Sequence, residues 1–195
     1  MSAEALRVQG RSAPLSKRPM DWPILIFFLL NLLLITYVVD LEQLVIPDAN
    51  HFTYPIWPPA FIVDAVHNYG HTFDPLLIAR PAWWRATIWI DVLFFGPFYV
   101  AAIYAFWKSK NWIKVPALVY SGMMLSNVLI ILFEEFNGPT ATPQPIIVLL
   151  LNLPWLLMPI YIIFRTTRAP QLFARVDNFQ PYEIESPKRQ ERTPF

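Results

Sequence analysis

Four apolar runs, Trp22–Val39, Ala86–Phe106, Val115–Phe133 and Ile146–Phe164, constrain this chain more than any other feature. Each is at or near the roughly 20 residues a helix needs to cross the hydrocarbon core of a bilayer. Lipid offers backbone amides no partners, so isolated strands are excluded and the runs must be helices. The sequence therefore specifies an all-α membrane protein, a four-transmembrane-helix bundle that accounts for the whole length. Composition agrees: 55% of the residues are hydrophobic and 15% charged, against roughly 25% charged in soluble domains. The first run is longer than a signal-peptide core and has no small-residue cleavage site behind it, so it reads as a retained helix.

Charge gives the bundle an orientation. All of the 15 Lys and Arg residues except Arg80 and Arg85 fall before the first run, in the second connection (Lys108, Lys110, Lys114) or after the fourth run. The positive-inside rule then places both termini in the cytosol and the first and third connections on the far side. An even number of spans with cytosolic termini suits a multi-pass protein of the endoplasmic reticulum. Residues 1–18 and 169–195 are polar and read as cytosolic tails around a membrane domain at 19–168. The first connection, Asp40–Arg85, is rich in Trp, Phe, Tyr and Pro and is expected to be an ordered, partly helical lumenal loop. Pro58-Pro59 opens a helix there, with Phe61, Ile62, Ala65 and Val66 as its apolar stripe and Asp64 and Asn68 off it, lying across the bundle mouth. Trp57, Trp83 and Trp84 fit an interfacial aromatic belt.

Within the apolar runs, polar groups stand out because they are costly. An Asp at a helix centre costs roughly 2.5–3.5 kcal/mol on insertion scales, so Asp91, five residues inside its run, is expected to face a cavity, a partner or a ligand. Asp40 ends the first run at a similar depth. Asn127, and the i, i+3 pair Asn152 and Trp155, converge on the same half of the bundle, and Pro97, Pro154 and Pro159 permit kinks that open space. A carboxyl pair there can share a proton for acid–base work, or hold a cation against the aromatic face of Trp155. Glu134 and Glu135 read as solvated charges at a helix end. His67 and His71 have i, i+4 spacing but no H-E-x-x-H pattern, so no metal site is expected. There is no cysteine, no Gly-rich phosphate loop, no G-x-S-x-G elbow and no basic patch. Thiolate chemistry and nucleic-acid partners are set aside, and no cofactor is implied.

Asp40-Leu-Glu-Gln-Leu-Val-Ile-Pro47, Asp74-Pro-Leu-Leu77, Pro81-Ala-Trp-Trp84, Asp91 with Pro97-Phe-Tyr99, Ala102-Ile-Tyr-Ala-Phe-Trp-Lys108, Trp112–Ser121 and Phe133-Glu-Glu-Phe136 keep their order across all four helices. In these, over about residues 18–168, the chain resembles the sigma-2-receptor branch of the EXPERA superfamily, which also contains the sterol Δ8–Δ7 isomerase branch. The resemblance implies an endoplasmic-reticulum protein, often a homodimer, with a lipid-accessible cavity for sterols and hydrophobic amines. By the same resemblance Asp40 pairs with a ligand amine, Asp91 stands for a Glu of helix two, and Asp74 has a structural, helix-capping role. Asn152 and Trp155 resemble the Asn-x-x-Trp pair of the isomerase branch. That branch carries a His four residues before its helix-one acid where this chain has Thr36, so isomerisation here relies on Asp40 and Asp91. The expected function is a non-catalytic binder in lipid handling; the alternatives are a sterol or terpenoid isomerase using the two carboxyls, and a membrane targeting or chaperone factor.

Overall fold

The structure, a computed structural model, describes residues 11–173 together with 175 and 176. In chain order its helices are α1 (Pro19–Val45), α2 (Ala60–Thr72), α3 (Leu76–Ala79), α4 (Ala82–Trp107), α5 (Asn111–Asn137) and α6 (Pro145–Thr167). Helices α1, α4, α5 and α6 are long and apolar enough to cross a membrane, and α2 and α3 form the long first connection. The four-helix reading of the sequence is thus the fold. Each spanning helix exceeds its apolar run, because hydropathy ends where polar interfacial residues begin while backbone hydrogen bonding continues. Asp40 is therefore followed by a further turn of α1, and Asp91 lies roughly 13 Å along α4 rather than 7–8 Å.

Two helices are locally unwound where these carboxylates stand. Asn31–Asp40 follows π-helical hydrogen bonding that closes with the Leu41 N–H on the Thr36 carbonyl, and Asp91–Phe95 closes with the Gly96 N–H on the Asp91 carbonyl. Such π segments are often found at functional sites. Pro97 supplies a cause in α4, because it has no N–H to give to the preceding turn. The Val92 carbonyl instead accepts the Tyr37 hydroxyl of α1 at 3.2 Å. Gly96 permits this approach, since a Cβ there would collide with the Tyr37 ring.

Packing divides into two layers with open space between them. Toward the termini, Phe28, Tyr99, Phe106 and Tyr120 form an aromatic core in which Phe98 stacks on Tyr120 at 4.5 Å between centroids. Toward the first connection, Val66, Leu76, Leu77, Trp84, Ile88 and Val92 form a smaller cluster. The face of α2 that this cluster receives differs from the expected stripe. Ile62 and Val66 pack inward, but Phe61 (69% exposed) and Ala65 turn out, while Val63, His67 and Gly70 are buried and the helix continues past Gly70 to Thr72. An inward contact of His67 with Glu42 at 2.8 Å accounts for the roll. Trp84 likewise leaves the expected belt: it is buried, with its indole N–H on Gln43, whereas Trp57 stays at the surface and donates to the Tyr37 carbonyl at 2.8 Å.

Residues 1–10, 174 and 177–195 of the expected tails lie outside the described residues. The remainder packs onto the bundle, extending it beyond 19–168. Arg11 and Ser12 pair antiparallel with Val176 and Arg175, and Leu172 and Phe173 are buried. Arg18 lies 4.7 Å over the Phe173 ring, and its guanidinium donates to Asp21 at 2.5 Å and to the Phe106 carbonyl at 2.8 Å. Asp21, fully buried, also accepts from Arg165 Nε at 2.8 Å. A buried carboxylate with two guanidinium partners ties the start of α1 to the end of α6, a contact between distant positions that charge counting along the sequence does not expose.

Candidate functional site

Between the two apolar layers lies a cavity of ≈ 530 Å³, within the range of small-molecule sites. Its walls come from α1, α4, α5 and α6, and Tyr69, Asp74 and Leu77 of the first connection close one end. Asp40, Asp91, Asn127, Asn152 and Trp155 all line it, so the structure brings together the five positions singled out in the sequence. Among the described residues, four carboxyls line the cavity and no Lys, Arg or His does.

The inner carboxyl pair is Asp40 and Asp91, which face the same cavity from α1 and α4. Asp91 is buried and fixed: its Oδ2 accepts the Thr36 hydroxyl at 2.6 Å and its Oδ1 the Tyr99 hydroxyl at 3.4 Å. Tyr99 in turn contacts the Tyr120 hydroxyl at 3.4 Å, so the chain of hydroxyls runs into the aromatic core. Asp40 is the more open member. Trp155 is set by Asn31, whose Oδ1 accepts the indole N–H at 2.8 Å while its Nδ2 donates to the Phe27 carbonyl at 2.8 Å. With its N–H satisfied, the indole presents carbon surface to the cavity. Asn31 and Thr36 were not among the expected site residues, although both are polar positions in an apolar run and carry the same signal as Asp91.

An outer pair stands at the closed end. Asp74 caps α3 as expected, accepting the Leu76 N–H at 3.2 Å, but it also lines the cavity, as does Glu135. Glu135, 1% exposed, accepts from Asn152 Nδ2 at 3.4 Å, and Asn152 is anchored to the Val148 carbonyl at 3.0 Å. The reading of Glu134 and Glu135 as solvated end charges therefore fails for Glu135. Glu134 turns to the third connection and accepts the Thr140 hydroxyl at 2.7 Å. Helical phase separates the neighbours: Asn127, Ile131 and Glu135 recur every fourth residue and share the cavity face.

Burial pushes the Asp74 carboxyl up to about 6, against the lowering pull of the Leu76 amide and of Glu135. Burial, with the Asp74 and Glu135 charges, also pushes the Tyr69 hydroxyl up to about 12, so it stays a neutral donor. The folded protein thus keeps the Asp74 proton to higher pH than the unfolded chain. Its contribution to stability is fully present below the ordinary aspartate value of 3.8 and is lost as pH rises through about 6. Asp74→Asn keeps an oxygen for the Leu76 amide but cannot ionise. It is expected to remove up to about 3 kcal/mol of that loss, seen as a smaller drop in thermal midpoint than wild type between about pH 4.5 and pH 7.5.

His67 and His71 do not form a pair. His67 is buried against Glu42, and His71, one turn further along α2, is exposed. Glu42 is fully buried, and both its oxygens accept from Arg80 Nη2, at 3.0 and 2.9 Å. This group of three pins the first connection to the end of α1 beside the cavity.

Fold and site together define a class: a four-helix membrane protein enclosing an acid-lined cavity, with an aromatic-rich connection folded over one end. The chain belongs to the EXPERA family. The pattern described as EBP: EXPERA (EXPanded EBP superfamily) matches residues 61–166, a stretch that holds every cavity acid except Asp40. Similar proteins include Sigma intracellular receptor 2 of Homo sapiens, 30% identical over 172 residues, covering 81% of this chain and 93% of that protein. Sigma intracellular receptor 2 of Xenopus tropicalis is 28% identical over 165 residues, covering 79% and 91%.

Proposed function

We propose that the protein binds sterols or related hydrophobic amines in its intramembrane cavity, in the endoplasmic-reticulum membrane, with both termini cytosolic and the closed cavity end toward the lumen. The observation that carries this reading is the Asp40–Asp91 pair in a cavity with no basic side chain among its described lining residues. A proton-sharing pair can accept a sterol hydroxyl, and once it releases its proton it can face an ammonium group, with Trp155 supplying aromatic surface. Similarity to proteins named as receptors, and the concentration of Lys and Arg at the terminal side, support the role and the orientation. In this reading Asp40 meets the ligand, Asp91 holds Asp40, and Asn127, Asn152 and Trp155 shape the wall.

A second reading, double-bond isomerisation, is favoured by Asn152 and Trp155 facing the same cavity as the two acids. One carboxylic acid would protonate the substrate double bond and the other carboxylate remove a proton from the adjacent carbon, shifting the double bond with no net change in composition. Purified protein incubated with a Δ8 sterol, with double-bond position followed by mass spectrometry and amine binding measured in parallel, separates the two. The binding reading expects saturable amine binding and no turnover. Turnover that disappears in Asp91→Asn would establish the isomerase instead.

A further inference from the structure

Gln43 is not accounted for by the inner carboxyl pair. It lines the cavity at 1% exposure, with its Oε1 accepting the Trp84 indole N–H at 2.6 Å. That bond fixes the amide orientation and leaves the NH2 half without a hydrogen-bond partner among the described residues. Buried amide groups in folded proteins are nearly always paired, so a free NH2 on a cavity wall marks a place for a ligand acceptor. Trp84 and Leu77 pack in the layer toward the first connection, and Gln43, Asp74 and Glu135 line the cavity beside it. Asn152 steadies Glu135 there.

The chemistry of this layer differs from that of the inner pair. One fixed NH2 donor opposite carboxyl acceptors matches a hydroxyl, which donates one hydrogen bond and accepts others. An ammonium has donors only, and would set N–H against N–H at Gln43. Gln43 follows Asp40 by three residues of α1, about one turn or roughly 4.5 Å of rise, so an amine at Asp40 and a hydroxyl at Gln43 occupy neighbouring positions of one ligand.

We propose that Gln43, with Asp74 and Glu135, forms a second subsite that takes a hydroxyl, so that the cavity selects hydrophobic amino alcohols, amine on Asp40 and hydroxyl roughly 5 Å away at Gln43. The inference rests on the amine-binding reading above and narrows it to a ligand class.

The test compares a long-chain N,N-dimethylalkylamine with analogues carrying one hydroxyl at successive carbons, at amine-to-hydroxyl lengths bracketing roughly 5 Å, on the purified full chain. The hydroxyl is expected to raise affinity roughly tenfold at the matching length. That gain disappears in Gln43→Met and in Gln43→Leu, neither of which carries a donor. Because the gain is a ratio within each variant, a change in stability common to both ligands cancels. A gain absent at every length, or surviving in both Gln43 variants, overturns the second subsite. A parent amine whose binding survives Asp40→Asn sinks the underlying amine reading, whereas a parent that depends on Asp40 with no hydroxyl gain sinks the subsite alone.

Discussion

Asp40→Asn is expected to weaken binding of a hydrophobic tertiary amine by about a hundredfold, the usual scale when one partner of a buried charge pair is removed. The substitution keeps shape and hydrogen-bonding capacity but removes the charge that offsets a desolvated ammonium. Among the described residues lining the cavity there is no cation to compete for Asp40 and no neighbouring carboxylate free of an existing partner, since Asp91 is held by Thr36 and Tyr99, Asp74 by the Leu76 amide and Glu135 by Asn152. A neutral sterol, which needs an acceptor and no charge, keeps its affinity within a few-fold in the same variant. Equilibrium binding of an amine and a neutral sterol to wild type and Asp40→Asn reads both effects. Equal losses for the two ligands would mean that the substitution collapses the cavity, and no loss for either would move the cation site elsewhere.

The other large effect is on stability. Arg80→Met is expected to destabilise the fold by about 3–5 kcal/mol, because it leaves the buried Glu42 carboxylate without its guanidinium. Arg80 makes more than an ion pair. Its Nε donates to the Leu77 carbonyl at 2.7 Å, its Nη1 reaches the Ile46 carbonyl, and it ends α3 in a left-handed conformation at φ 45°. Removing both charges in Glu42→Met with Arg80→Met is expected to recover part of the loss, since the uncompensated carboxylate goes with its partner. Unfolding in detergent micelles, followed by tryptophan fluorescence, measures this directly. If Arg80→Met costs less than about 1 kcal/mol, as a solvated pair would, water rather than Arg80 is supporting Glu42.

The contrast between these two clusters explains what the sequence exposes. Asp40 and Asp91 are conspicuous because hydrocarbon penalises charge, so a carboxylate in an apolar run is an anomaly that needs a reason. Glu42, His67 and Arg80 lie at or beyond the end of that run, where charged residues are ordinary, and their contacts join positions 25 and 38 apart. No local pattern links them. Glu135 is an intermediate case: its four-residue spacing from Ile131 and Asn127 is present in the sequence, but with Glu134 beside it the cavity member emerges only once the phase of α5 is fixed by its packing. Trp83 and Trp84 illustrate the same limit, since neighbours about 100° apart on one helix can face different surroundings and local composition does not say which turns in. Gln43 was hidden for a different reason. An amide three residues past Asp40 reads as interfacial polarity until Trp84, 41 positions away, is seen to hold one half of it.

Pro97, Gly96 and Tyr37 couple the two helices that carry Asp40 and Asp91. Pro97→Ala would return an N–H to α4, giving the Val92 carbonyl a main-chain donor and leaving the Tyr37 hydroxyl of α1 to find another acceptor; a side chain at position 96 would push the same ring away. Tolerated change at any one of these positions is therefore conditional on the other two. A change that reshapes this cavity from one helix thus disturbs the other, and α1 and α4 respond to substitution as one unit.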